Sequence, residues 1–147
     1  MKLLQFVAMV LTALALVPGG AHLFALPNKI NLGASDYFIV QGIYRGWALL
    51  GIVLIGAVLA NFALTILIRD QRAPFVLTLI SLLCLLATLA IFFAFTFPAN
   101  QVTNNWTEVP ANWQQLRWRW EASHAVNAAV TFAAFCSLTV SVLLSRV

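Results

Sequence analysis

The sequence is short of charge. Only 8% of its residues are charged and four are acidic, against 63% that are hydrophobic. Soluble domains draw about a quarter of their residues from Asp, Glu, Lys and Arg. A mean hydropathy of +0.95 excludes a soluble fold, which could not cover this much apolar surface. Cysteine is also scarce. Cys84 and Cys136 are the two present, both inside apolar runs. No disulfide framework, CxxC redox pair or cysteine-based zinc motif is available, and both read as small buried hydrophobes. No cluster of Lys and Arg interleaved with aromatics occurs, which excludes nucleic acid as a partner. No acidic residue lies at mid-span and no inverted repeat is apparent, so neither signature of a transporter is present.

What remains is long apolar runs. Hydropathy gives four spans, 3–21, 46–68, 74–97 and 125–144, each near the ~20 residues that a ~30 Å hydrocarbon core requires. The opening "MKLLQFVAMVLTALALVPGGA" imitates a secretory signal peptide but reads here as the first membrane helix. The expected fold is a single all-α domain over 1–147, an integral membrane four-helix bundle. Four spans put both termini on one side. The Lys/Arg count gives no orientation: Lys2, Arg69, Arg72 and Arg146 on the terminal side face Lys29, Arg45, Arg117 and Arg119 opposite. Lys2 ahead of the first span and two arginines in the short "RDQR" turn favour cytoplasmic termini in an inner or plasma membrane.

The two long connections carry helix signals. Ser35 reads as an N-cap with Asp36 in the first turn, and no breaker follows until "RDQR". Helix two is therefore expected to run unbroken past the bilayer. Asn112 and Gln115 resemble a capping box opening helix four at Trp113, so helix four also extends beyond the membrane. Pro74 marks the start of helix three and Pro98 its end, and "PGG" at Pro18–Gly20 is a kink site. "GIYRG" matches G-x-x-x-G and suggests close helix packing at Gly42 and Gly46. "NWT", Asn105–Thr107, matches a glycosylation sequon. Asn61, near mid-span, is expected to bond a neighbouring helix.

The span edges bring reactive residues to one depth. Helix one leaves the core at His22, helix two enters at Arg45, helix three leaves near Asn100, and helix four enters at His124. In "LRWRWEASHAV" and its flanks, Trp113, Arg117, Trp120, His124 and Asn127 step by four, three, four and three, one face of one helix. Glu121 sits beside them. Gln41, Tyr44 and Arg45 share a face, as do His22 and Lys29, seven apart. Such a stripe should face the interior, since ionisable groups are costly against lipid. Trp47, Trp106 and Trp118 read as aromatic-belt residues, and Arg119 as a headgroup contact.

"AHLFALPNKINLGASDYFIVQGIYRGWALLG" and "FPANQVTNNWTEVPANWQQLRWRWEASHAVNAAV" resemble the DUF1772 family, also called anthrone oxygenase-like. The matching residues are His22, Leu26, Pro27, Lys29, Tyr37, Gln41, Tyr44, Arg45, Gly46, Trp47, Pro98, Asn100, Trp113, Arg117, Trp120, Glu121 and His124. Ala25 departs from the pattern, standing where many relatives carry an acidic residue. The resemblance implies an oxygenase that converts anthrones to anthraquinones without an obvious cofactor.

Three functions stay open. In the first, the outer mouth accepts an apolar, planar or lipid-like molecule. His124 is then the base, oriented by Glu121, with His22 beside it. Arg45, Arg117 or Lys29 stabilises the enolate. Trp113, Trp120, Tyr44, Gln41 and Asn100 line the substrate. In the second, His22, His124 and Glu121 hold a metal or haem. In the third, the ring is a hydrogen-bond network in a lipid-binding protein or an accessory subunit of a larger membrane complex or homo-oligomer.

Overall fold

The computed structural model describes residues 1–146 and contains helices and turns, with no strand among them. Helix α1 spans Lys2–Lys29 and α2 spans Ala34–Gln41. Two short 3₁₀ turns, Gly42–Tyr44 and Trp47–Leu50, lead into α3, Gly51–Leu67. Helix α4, Arg72–Ile91, passes through a π-helical turn, Phe92–Thr96, into α5, Phe97–Val102. Helix α6 is the longest, Trp113–Leu144. Four continuous helical stretches are long and apolar enough to cross a membrane: Lys2–Lys29, Trp47–Leu67, Arg72–Val102 and Trp113–Leu144.

These four pack in cyclic order, α1 on α3 and α6, and α4 on α3 and α6. The burial pattern is inverted relative to a soluble protein. Large apolar side chains such as Leu3, Phe24, Leu49, Ile52 and Leu143 point outward, while Thr12, Asn61, Thr78, Ser81, Thr131 and Ser141 are buried. Every apolar square ångström left to water costs about 25 cal/mol, so this exterior suits a hydrocarbon solvent. Small residues let the helices approach. A Cβ on Gly19 would stand 3.1 Å from the Ala128 backbone nitrogen and 3.2 Å from its Cα. Gly19 is thus a contact point between α1 and α6, and α1 continues through Pro18 and Pro27 to Lys29.

Neutral polar pairs tie the interior together from the terminal end upward. Gln5 donates to Ser145 Oγ (2.7 Å). Thr78 and Ser141 share a 2.7 Å bond, and Ser141 also donates to the Pro74 carbonyl (2.8 Å). Asn61 donates to Thr12 Oγ1 (3.1 Å) and to the Ala57 carbonyl (2.9 Å), and its own Oδ1 accepts from Ser81 (2.9 Å). Asn61 thus bonds two neighbouring helices. Thr88 meets Thr131 at 3.4 Å and Thr96 meets Ser123 at 2.7 Å.

Several expectations change. Helix two is interrupted, because Gly46 takes a left-handed φ of 85° between the two 3₁₀ turns. That position suits glycine because it carries no Cβ. Neither Gly42 nor Gly46 has a neighbour within 4 Å of an added Cβ, so "GIYRG" marks a chain break and not a packing motif. The helix caps also differ. Gly33, not Ser35, precedes α2, and Asn112 precedes α6 without a side-chain cap. Pro98 does not end helix three. Proline has no N–H for the carbonyl four residues back, which is Ala94, and the π turn absorbs the misfit. The Ala94 carbonyl instead accepts from Arg119 Nη2 at 2.8 Å. Arg119 is therefore bonded to backbone. Finally, Cys136 is exposed and Cys84 half-buried.

The connection after α5 is wound tightly. Asn104, Asn105 and Trp106 have φ of 45°, 55° and 64°. Left-handed backbone costs an L-residue about 1–2 kcal/mol, and here three occur in succession. Local bonds hold the turn: Asn105 N to the Asn100 carbonyl (2.7 Å), Trp106 N to Thr103 Oγ1 (3.1 Å) and Thr107 Oγ1 to the Asn104 carbonyl (2.7 Å).

Candidate functional site

At the end of the molecule opposite the termini, the neutral ladder gives way to a charged and aromatic cluster. Its centre is Lys29, the last residue of α1 and 2% exposed. A lysine there faces the negative end of the helix dipole. Its Nζ lies 3.0 Å from Glu121 Oε1, 3.2 Å from His22 Nδ1 and 3.3 Å from Tyr44 Oη. An ammonium has three N–H donors and no acceptor. All three are matched, so His22 accepts at Nδ1 and carries its proton on Nε2.

Glu121, 1% exposed, comes from α6. Its Oε1 also accepts from the Tyr37 hydroxyl at 2.7 Å. Tyr37 reaches it from α2, its ring packed against Trp106 and Trp113. Burial, and after it the Glu121 carboxylate, push the Tyr37 phenol far above its ordinary range, so it stays a donor. Tyr44 is shifted upward for the same two reasons, burial first.

The two histidines meet. Their ring centroids are 4.0 Å apart with the planes inclined by 32°. Trp120 stands edge-on to both, 4.6 Å from His22 and 4.3 Å from His124. Tyr44 (3.9 Å) and Trp47 (6.0 Å) close the His22 side. The Lys29 ammonium lies 4.7 Å from the Tyr44 ring centre and 5.2 Å from that of Trp120, cation–π distances that add to its three hydrogen bonds.

A second layer packs outside this core. Arg117 donates Nη1 to the Leu32 carbonyl at 2.8 Å, and its guanidinium lies over Trp113 (4.7 Å) and Tyr37 (5.4 Å). Asn100 Oδ1 accepts from two indoles, Trp120 Nε1 at 2.8 Å and Trp106 Nε1 at 3.1 Å. Gln41 is buried with both amide atoms unpartnered, as are Glu121 Oε2 and Arg117 Nε.

Ten of the eleven residues expected from sequence thus fall in the core or its second layer: His22, Lys29, Gln41, Tyr44, Asn100, Trp113, Arg117, Trp120, Glu121 and His124. Arg45 does not. It lies exposed at the helix-two break, because the interruption turns it off the face it would share with Tyr44. The expected pairing of Glu121 with His124 is also absent. Glu121 is engaged by Lys29 and Tyr37, and His124 meets aromatic rings instead.

The metal expectation fails on chemistry. Among the described residues, no three His, Cys, Asp or Glu side chains gather to hold an ion. The Lys29 ammonium occupies the position between His22 and Glu121 that a cation would need. The two imidazoles face each other, so their in-plane lone pairs do not converge. The direct contact of the His22 and His124 rings leaves no room between them for a haem.

Two residues were missed. Tyr37 lies one turn before Gln41 on the same helical face, a spacing that offered a signal. Trp106 read as a belt residue but is buried, 6% exposed, against Tyr37, Phe38 and Trp120. It reaches them only through the left-handed turn, which no periodicity announces. Trp118 is exposed, as a belt residue would be. Comparison with family models, curated proteins and solved structures found no match for the chain.

Proposed function

We propose that this chain is an integral membrane four-helix bundle whose outer end performs acid–base chemistry on an apolar, planar aromatic or lipid-like molecule. The bundle's end at α2 and the first turns of α6 would stand beyond the bilayer, on the side opposite cytoplasmic termini in an inner or plasma membrane. The resemblance to anthrone oxygenase-like proteins names the reaction, a cofactor-independent oxygenation. One observation carries the reading. Four buried ionisable side chains, His22, Lys29, Tyr37 and Glu121, and the half-buried His124 form one contact network, where apolar residues would join the helices at least as well. Ionisable groups within a membrane protein point to function by default.

The reaction balances without a resident cofactor. An anthrone CH₂ gives a proton to a base, and the resulting enolate reduces molecular oxygen. One oxygen atom stays as the new carbonyl and the other leaves with the two hydrogens as water. His124 takes the C–H proton. The His22 Nε2–H donates to the enolate oxygen, and Lys29, whose three N–H donors are taken by Glu121, His22 and Tyr44, contributes its positive charge through space. Glu121 and Tyr37 position Lys29. Trp120, Tyr44 and Trp47 offer ring faces to a planar substrate.

The test is oxygen uptake and anthraquinone absorbance with an anthrone substrate and the purified protein in nanodiscs. Turnover is expected from the native chain and lost in His124→Ala, with helical content unchanged. Uptake no faster than in empty nanodiscs would overturn the reading. A second reading, an accessory or lipid-binding subunit held shut by the network, draws on the near-total burial of Lys29, Tyr37 and Glu121. It calls for co-purification with a larger complex and for no turnover.

A further inference from the structure

Trp106 occupies a box made by other parts of the chain. Its ring centre lies 5.3 Å from Tyr37, 5.5 Å from Phe38 and 5.4 Å from Trp120, all near edge-on. Its single polar atom, Nε1, donates to Asn100 Oδ1. The indole is thus a flat fused-ring aromatic with one donor, enclosed by aromatic faces and read by one acceptor. That is how a protein holds a small ligand.

The backbone that carries Trp106 is unfavourable. Asn104, Asn105 and Trp106 are all left-handed and none is glycine. Asparagine enters that region more readily than other non-glycine residues, so the outlier is the bulky Trp106, and such strain persists only where surroundings impose it. Departure of the indole would relieve the turn.

We propose that this box is a binding site for a fused-ring aromatic carrying one O–H or N–H donor, and that Trp106 is its built-in competitor. The ligand displaces the indole, packs edge-to-face against Tyr37, Phe38 and Trp120, and donates to Asn100. Binding here needs no chemistry at His22 or His124, so it stands or falls separately from turnover.

The experiment is equilibrium dialysis of 2-naphthol and naphthalene against the full chain in nanodiscs, with empty nanodiscs subtracted. The native chain is expected to bind 2-naphthol saturably, roughly fivefold tighter than naphthalene, the worth of one hydrogen bond. Trp106→Ala vacates the box and is expected to bind 2-naphthol at least tenfold tighter than the native chain. Asn100→Leu is expected to abolish the preference for 2-naphthol. Asn105→Gly relaxes the turn, seats the indole more firmly and weakens binding, which keeps the test open should Trp106→Ala fail to fold. Absence of saturable binding in the native chain, or tighter binding in Asn105→Gly, overturns the proposal. Weaker binding in a folded Trp106→Ala does so too, because Trp106 would then be part of the wall and not its occupant.

Discussion

Helix α6 contributes to two buried polar regions that are built differently. Along its membrane-length portion, Thr131 and Ser141 join Thr12, Asn61, Thr78, Ser81 and Thr88 in a ladder of neutral groups. At its first turns, Arg117, Glu121 and His124 join Lys29, His22 and Tyr37 in a charged cluster. The ladder shows that this chain can fasten helices without charge. Neutral interhelical hydrogen bonds are worth about 0.6 kcal/mol on average in membranes, and the ladder repeats them with close small-residue contacts such as Gly19 on Ala128. A buried ion pair is a poor substitute, because the desolvation of each charge offsets much of the attraction. The cluster therefore asks for a reason other than cohesion, and the acid–base chemistry we propose for the imidazole pair would be one.

The largest expected effect separates the two regions by what is left behind. Lys29→Ala strands the Glu121 carboxylate in a site with no other cation on Oε1, and should cost about 3–5 kcal/mol. Denaturant unfolding in detergent measures it. A loss no larger than that of a ladder variant would erase the distinction between the regions.

Next comes the ladder's close contact. Gly19→Ala places a methyl against the Ala128 backbone and should cost about 1–3 kcal/mol by overpacking. Oxygen uptake should be unchanged if the site lies only at the outer end. Asn61→Leu removes bonds to Thr12 and Ser81 and should cost about 1 kcal/mol, again without loss of turnover. If either change abolished turnover while helical content survived, the division of labour would be wrong.

The smallest effect is a pH dependence confined to the cluster. The Tyr37 phenol is raised above its ordinary value by burial and by Glu121. The folded chain therefore keeps a proton that the unfolded chain releases near pH ~10. The contribution is full below that pH and erodes as pH climbs toward the folded value. Tyr37→Phe should flatten this alkaline loss in a pH series of unfolding curves, whereas Asn61→Leu should leave its slope intact.

The ladder and the cluster were not equally legible in the sequence. Long apolar runs marked four helices because a hydrocarbon core demands them. The three-and-four stepping of Trp113, Arg117, Trp120 and His124 marked the inner face of α6 because helical geometry fixes it. Partners across helices were harder. Glu121 was expected beside His124, three residues away on one helix, yet its bonds go to Lys29 and Tyr37 on two other elements. Arg45 was misplaced because the helix tightens at Gly42–Tyr44 and breaks at an extended Arg45 followed by a left-handed Gly46. Pro98 read as a helix end because its missing N–H is local information. The Arg119 side chain that satisfies the freed Ala94 carbonyl is not.

The most direct measurement is the unfolding free energy of the double variant Lys29→Met with Glu121→Leu, set beside each single change. If the charged cluster exists for function and not for cohesion, the double variant should be as stable as the native chain within about 1 kcal/mol, or more stable. A double variant as unstable as Lys29→Met alone would contradict that, and would make the ion pair the fastening that the ladder already provides elsewhere.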